Sequence, residues 1–264
     1  MLMMAAARKQ AGFTLVELMV ALVAGMIVVG AVLAFALSSI RANSEYVRST
    51  RLTQELRTSL ETATDDLRRA GYDEDAMRYV SRPPTFTAAS PFSRIFLSTN
   101  GSCVIYAYDR ENGGMGVLNL DNGEVRGIRR VVATINGRQV GVLEMAESAT
   151  GVQPDCGGAA VDYSSYPASC SSGGWCPLSD PRVVDITAFQ VVNDRAATGG
   201  VPGLIAAAGT AVLPMQLRKM QVTLTGSLVS MPGVSRTITT DVRVRADCVR
   251  AAASTNCIAV PNGT

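Results

Sequence analysis

The first part of the chain is a long apolar run that begins at Phe13 and ends at Leu37. Glu17 is the one charged residue within it. A helix rises about 1.5 Å per residue, so the run is long enough to cross a hydrocarbon core of about 30 Å. The pattern therefore predicts a membrane-spanning helix with a carboxylate near its start.

The apolar pattern continues as a stripe with spacings of mostly three and four residues, which is typical of one face of a helix. Its members are Ile40, Val47, Leu52, Leu56, Leu60, Ala63, Leu67 and Ala70. No proline interrupts residues 13–71, and Gly71 suits the position just after a helix end. We expect one continuous helix of about 58 residues whose second half packs on a sheet.

Beyond Tyr72 the pattern changes to the alternation of β-strands. The predicted strands are Cys103–Tyr108, Val131–Ile135, Val140–Met145, Val183–Val192, Met220–Leu228 and Ile238–Val244. Asn136-Gly137 predicts one hairpin turn and Met231-Pro232-Gly233 another. Gly151–Trp175 predicts an irregular segment, and Ala196–Gly209 a mobile loop.

These elements predict an α+β fold, in which a long N-terminal helical stem packs on a mainly antiparallel sheet. We expect a leader at residues 1–12, a membrane or filament-core helix at 13–37 and an amphipathic half-helix at 38–71. Residues 72–264 would form a β-rich, disulfide-containing head.

The leader carries Arg8 and Lys9 and no acidic residue. Because positive residues stay in the cytoplasm, we expect the head on the outer side of the membrane. A simple signal anchor is one interpretation, and a signal cut before the apolar run is the other. Glu17 is costly in lipid and either meets a cation or extends to the headgroups.

Composition narrows the function. The formal charge is +2, and Arg8 and Lys9 supply it, so the remainder is near neutral and unlike a dedicated nucleic-acid binder. There are no histidines, which disfavours a hydrolase or a metalloenzyme, and we predict no cofactor. Arg126, Arg129, Arg130 and Arg138 are interpreted as a solvated strand face rather than a phosphate site.

Asp109–Gly114 faintly resembles a calcium loop, but Arg110 interrupts the oxygen ligands and the distal glutamate is missing. A plain turn is the preferred interpretation, with no metal site.

All six cysteines follow the membrane segment, where an even number suggests disulfides. They are Cys103, Cys156, Cys170, Cys176, Cys248 and Cys257. Cys248–Cys257 is the preferred pair, Cys156 would pair with Cys170 or Cys176, and the alternative leaves some cysteines free and buried.

The hexapeptide from Gly12 to Glu17, Gly-Phe-Thr-Leu-Val-Glu, resembles the type IV pilin and pseudopilin signature. The resemblance implies cleavage between Gly12 and Phe13 by a prepilin peptidase and N-methylation of Phe13. It also implies that Glu17 pairs with the N-terminus of an adjacent subunit during assembly.

Shorter segments are similar to PilW-type minor pilins, namely Cys103–Asp109, Glu111-Asn112-Gly113, Trp175 with Leu178–Pro181, and Thr240–Arg245. That resemblance implies a scarce subunit that helps to initiate pilus assembly at or near the tip, supporting adhesion or twitching motility. The implied partners are other minor pilins, the major pilin, the inner-membrane assembly platform and a tip adhesin. The chain would lie in the bacterial inner membrane before assembly, with its head in the periplasm, and in the pilus afterwards.

Two alternatives remain. The first is the J-type minor pseudopilin of type II secretion, which shares the same stem. The second is a membrane-anchored periplasmic enzyme, which we disfavour because Lys219 is the only lysine after the leader and no Gly-x-Ser-x-Gly motif occurs.

Overall fold

The computed structural model describes residues 12–76, 90–110, 120, 123–165, 167–193, 215–249 and 258–259. Contacts within the chain divide it into two compact units, Met1–Arg48 and Ser49–Thr264. The predicted loop Ala196–Gly209 lies outside the described residues.

One α-helix, α1 (Leu15–Leu67), passes through both units. By its length and composition, this helix could cross a membrane. None of its most apolar stretch is buried within the protein. The helix ends at Leu67, before Gly71, and turns follow it. Gly71 has a φ of +78°, and its N–H donates 2.7 Å to the carbonyl of Ala107 on the sheet rather than back to the helix.

The strands form three sheets. Their bounds are β1 (Ile95–Leu97), β2 (Cys103–Ala107), β3 (Val125–Ile135), β4 (Arg138–Glu147), β5 (Trp175–Pro177), β6 (Val184–Asn193), β7 (Met215–Gln216), β8 (Lys219–Leu228), β9 (Met231–Arg243), β10 (Cys248–Val249) and β11 (Ile258–Ala259). The sheet orders are β11-β1-β2-β3-β4-β5, β6-β8-β9 and β10-β7. All pairs are antiparallel except β1 with β11, so the α+β expectation is confirmed.

The β3–β4 hairpin turns at the predicted dipeptide. Asn136 has a φ of 49° and Gly137 of 76°, which are the two positive angles that a type I′ turn requires. The β8–β9 hairpin differs from the prediction, because Leu228 pairs with Met231 and the turn falls on Val229-Ser230. Met231-Pro232-Gly233 instead belongs to β9, where the register shifts.

The main core lies between the C-terminal part of α1 and the sheets. Leu52, Leu56 and Leu60 are buried there with apolar residues of β6 and β8. Ile40 and Val47, which the stripe placed on the same buried face, are 65% and 58% exposed. Helix burial therefore begins at Leu52.

Strand β2 of the six-stranded sheet is buried on both faces. On β2, Val104 and Tyr106 belong to the main core, whereas Cys103, Ile105 and Ala107 belong to a second cluster around Trp175. A strand buried on both faces needs apolar side chains at every position, which explains its continuous apolar sequence.

Candidate functional site

The N-terminal site is the start of α1. Thr14 precedes the helix, its carbonyl accepts the first helical hydrogen bond from Leu18, and its Oγ1 accepts one from the Glu17 N–H at 3.2 Å. Thr14 with an acidic residue three positions later is the sequence pattern of a capping box. The negative charge of Glu17 also favours the first turn, where the helix dipole is positive.

The three residues of the predicted processing and assembly site, Gly12, Phe13 and Glu17, are all exposed. Gly12 has no atom within 4 Å of the position that a β-carbon would occupy, and Phe13 is 84% exposed. Every described residue from 12 to 48 is exposed. This surface is mostly apolar, and nothing in the described part of the chain covers it.

In the second unit, one carboxylate fastens the helix to the sheet. Asp66 of α1 accepts hydrogen bonds from the Tyr106 hydroxyl at 2.5 Å, the Tyr108 hydroxyl at 2.8 Å and Arg126 Nε at 2.7 Å. Both Asp66 and Arg126 are largely buried. Burial, together with the Asp66 charge, raises the pKa of Tyr106 well above the ordinary value of 10.0 and raises that of Tyr108.

The polar chain continues toward the surface. Arg126 Nη1 also contacts Glu147 at 2.8 Å, and Glu147 in turn accepts from Arg110 at 2.8 Å. A single line of alternating charges therefore connects Asp66 inside the head with exposed Arg110.

A second buried ion pair lies on the opposite face of the same sheet. Arg129 of β3 and Glu144 of β4 are 2.8 Å apart, with side chains that are 1% and 0% exposed. The Glu144 carboxylate also accepts the N–H of Val161 and the hydroxyl of Tyr163. Burial and the Glu144 charge raise the pKa of Tyr163.

The segment between β4 and β5, residues 148–174, is organised around Arg129. The guanidinium donates to the carbonyls of Asp155, Cys156, Gly158 and Ala159, and it lies 4.1 Å from the ring centroid of Trp175. Buried donors and acceptors that are paired in this way hold an otherwise irregular segment in place. We call residues 148–174 the stapled segment.

Disulfides add to this arrangement, with a pairing that differs from the prediction. Cys156 joins Cys103 on β2, whereas Cys170 pairs with Cys176. Cys103 lies opposite Arg129 in the β2–β3 register, and Arg129 in turn binds the carbonyl of Cys156, which brings the two cysteines together. Cys257 and the side chain of Cys248 lie outside the described residues, so that pair stays a prediction.

The predicted arginine face is wrong for three of its four members. Arg126 and Arg129 are bound to carboxylates inside the head, and Arg130 Nε donates to the Ile186 carbonyl at 2.6 Å. Only Arg138 is exposed, with Nη1 3.2 Å from the Val229 carbonyl.

Among the described residues, no cluster of three or more His, Cys, Asp or Glu residues is placed to bind a metal.

Arg218 is a further buried cation that sequence reasoning missed. It is 0% exposed, and its Nη1 and Nη2 donate to the carbonyls of Ser93 and Ala246 at 2.6 and 2.5 Å. Burial lowers its pKa to about 10, against the opposing charge of Asp247. Its guanidinium occupies the space beside Gly71, where a β-carbon would lie 2.2 Å from Nη2.

Comparison with known families gives two matches. The prokaryotic N-terminal methylation motif matches residues 7–33, which include Gly12, Phe13 and Glu17. The family described as prepilin peptidase-dependent protein B matches residues 45–244, which include the buried part of α1 and most of the sheets. No curated protein and no solved structure matches the chain.

Proposed function

The chain belongs to the prepilin peptidase-dependent protein B family, and on that premise we propose that it is a minor pilin that helps to initiate type IV pilus assembly. It would lie at or near the pilus tip and support adhesion or twitching motility. The finer assignment to the PilW type is part of this proposal and rests on the segment similarities described above.

The observation that carries the proposal is the first unit. It combines a methylation motif with a capped helix whose described residues to Arg48 are all exposed. A monomer in water could not keep so much apolar surface exposed, so this helix needs lipid or neighbouring helices. Both environments are apolar, and packing together with charge pairing would select the partner.

In the proposed mechanism, prepilin peptidase cuts between Gly12 and Phe13, and the new amino group of Phe13 is methylated. Thr14 then becomes the second residue of the processed chain. The hydrogen bond from the Glu17 N–H to the Thr14 hydroxyl, which caps the helix, therefore survives cleavage. The Glu17 carboxylate is exposed in the first turn and has no ion pair with any described residue of its own chain, which suits pairing with the amino terminus of an adjacent subunit.

The proposed organisation has a leader at 1–12, a membrane or filament-core helix at 13–37, an amphipathic segment at 38–71 and a head at 72–264. The subunit would wait in the inner membrane with its head in the periplasm and then join the other pilins on the assembly platform. The head contributes a rigid body, in which polar and covalent links hold the helix and the stapled segment to one sheet.

The test is the intact mass of the protein purified from host cells with and without prepilin peptidase. We expect loss of residues 1–12 and one added methyl group only when the peptidase is present. A Gly12→Asp variant should keep the full leader. Gly25→Ala, which changes a glycine inside α1 with no atom within 4 Å of its β-carbon position, should be processed normally.

The pilus role is tested separately by deleting the gene and counting surface pili. Recovery of a protein that still begins at Met1 in peptidase-positive cells would contradict the proposal. A processed protein whose loss leaves pili intact and stops protein secretion would instead support the J-type pseudopilin alternative.

A further inference from the structure

The second unit, Ser49–Thr264, contains an arginine-lined cavity of about 440 Å³ at the C-terminal end of α1. Its walls include Arg69, Tyr72, Tyr108, Asp109, Arg110 and Arg245. We propose that this arginine cavity binds a carboxylate of an acidic polypeptide segment. The inference goes beyond the proposed function, because it concerns the second unit alone and does not depend on leader cleavage.

The charge in the cavity is unbalanced. Three arginines, Arg69, Arg110 and Arg245, line it together with one acidic residue, Asp109. Arg69 also forms a hydrogen bond with the side chain of Tyr108. Arg110 is partly satisfied by Glu147, and Asp109 Oδ2 accepts the N–H of Glu74 at 3.2 Å. Within the described part of the chain, neither Arg69 nor Arg245 forms an ion pair.

Backbone hydrogen bonds join the three separate segments that carry these side chains. The N–H of Arg245 donates 2.9 Å to the carbonyl of Arg68 at the end of α1. The N–H of Asp109 donates 3.0 Å to the carbonyl of Tyr72. The segments around the cavity are therefore brought together by the fold, and a ligand would have to order only the exposed arginine side chains, which favours binding.

The walls favour a carboxylate on a peptide over a nucleic acid. Arginine forks match carboxylates with two parallel hydrogen bonds, and Tyr72, which is 54% exposed, offers an aromatic surface to the aliphatic stem of a glutamate. Nucleic acids are usually tracked by a stripe of cations along a backbone. Here the neighbouring cation Arg126 is committed to the carboxylates of Asp66 and Glu147.

The probe is a fluorescently labelled acetyl-Ala-Glu-Glu-Ala-amide peptide, titrated by anisotropy with the full-length protein in detergent micelles at low salt. We expect binding that weakens at least tenfold in an Arg69→Gln/Arg245→Gln variant. Arg138→Gln removes an exposed arginine outside the cavity and should bind as the parent protein does. An Arg69→Lys/Arg245→Lys variant should lose part of the affinity, because lysine keeps the positive charge but lacks the paired hydrogen-bond donors of the guanidinium.

Three results would overturn the proposal: no binding of the peptide at millimolar concentration, an equal loss in Arg138→Gln, or equal binding of the matched Gln-Gln peptide. Inorganic phosphate that binds the parent while the peptide does not would also overturn it. Thermal unfolding of each variant checks that the fold is intact, and the intact-mass test of leader cleavage remains a separate readout of the proposed function.

Discussion

Tyr106 donates a 2.5 Å hydrogen bond to Asp66, and this bond joins the helix to the six-stranded sheet. Tyr108 and Arg126 reach the same carboxylate, so three donors of the sheet converge on one helical residue. We expect Asp66→Ala to lower the free energy of unfolding by about 2–4 kcal/mol, because it leaves a buried guanidinium and two buried hydroxyls short of an acceptor.

The matched control is Asp65→Ala. Asp65 pairs with Arg68 on the exposed side of the same helix, and a surface pair contributes at most about 1 kcal/mol. Denaturant unfolding of the full-length protein in detergent, followed by tryptophan fluorescence of Trp175, measures both. Equal losses in the two variants would contradict a special role for Asp66.

Glu144→Ala should both destabilise the head and loosen the stapled segment. It leaves Arg129 buried without its counter-ion, at a cost of about 3–5 kcal/mol. It also frees the N–H of Val161. Limited proteolysis should then cut within residues 148–174 faster than in the parent protein. Asp241→Ala breaks the half-exposed pair with Lys219 and should leave the cleavage rate unchanged.

Alkaline pH should destabilise the protein. The folded-state pKa values of Tyr106, Tyr108 and Tyr163 are raised, so their stabilisation is complete below pH 10 and is lost as pH rises and the unfolded chain ionises. Arg218 acts in the opposite direction, because its pKa is lowered to about 10, but three tyrosines outweigh it.

Denaturant unfolding between pH 8 and 11.5 (a range around the ordinary tyrosine pKa of about 10) measures this, with tyrosinate absorbance as the ionisation signal. Tyr163→Phe should make the decline shallower by up to about 1.4 kcal/mol per pH unit, the contribution of one site. An unchanged slope would show that Tyr163 ionises in the folded protein.

Substitutions of three glycines separate the cost of backbone strain from the cost of crowding by neighbouring atoms. Gly71→Ala meets both a positive φ and Arg218, Gly137→Ala meets only a positive φ, and Gly233→Ala meets neither. We expect losses above about 2 kcal/mol, near 1 kcal/mol and close to zero, in that order. Unfolding midpoints of the three variants test the order, and a Gly71→Ala loss no larger than that of Gly137→Ala would contradict the crowding.

Glu17→Ala should leave leader cleavage largely intact and weaken incorporation into pili. The cap depends on the Thr14 hydroxyl and the Glu17 N–H, both of which the substitution keeps. Processing is read by mass and incorporation by immunoblots of sheared pili, with Glu17→Gln separating charge from shape. Unaltered incorporation in Glu17→Ala would remove the assembly role.

Periodicity predicted the framework well because burial on one face imposes it. The stripe from Leu52 to Ala70, the Asn136-Gly137 turn and the strand β2 all follow from local rules. Ile40 and Val47 continue the same stripe but are exposed, since the pattern identifies a face without saying what covers it.

Polar contacts between residues far apart in the sequence could not be predicted from such local patterns. Asp66 and Tyr106 are separated by 40 residues, and Arg129 looked like one member of a basic surface. Their pairing depends on sheet order, which brings β3 beside β2 and β4. The Thr14–Glu17 capping pattern, in contrast, is a local signal that the sequence itself contains.

The contact between Gly71 and Arg218 constrains how this family can vary. With an arginine at position 218, a side chain at 71 would displace a buried guanidinium that is bound to two carbonyls, whereas a shorter residue at 218 would leave that space open. We therefore expect one-sided covariation among homologues, in which every chain that keeps Arg218 keeps Gly71 but the reverse does not hold. A chain that first loses the arginine can then accept an asparagine at the end of the helix without displacing a buried cation.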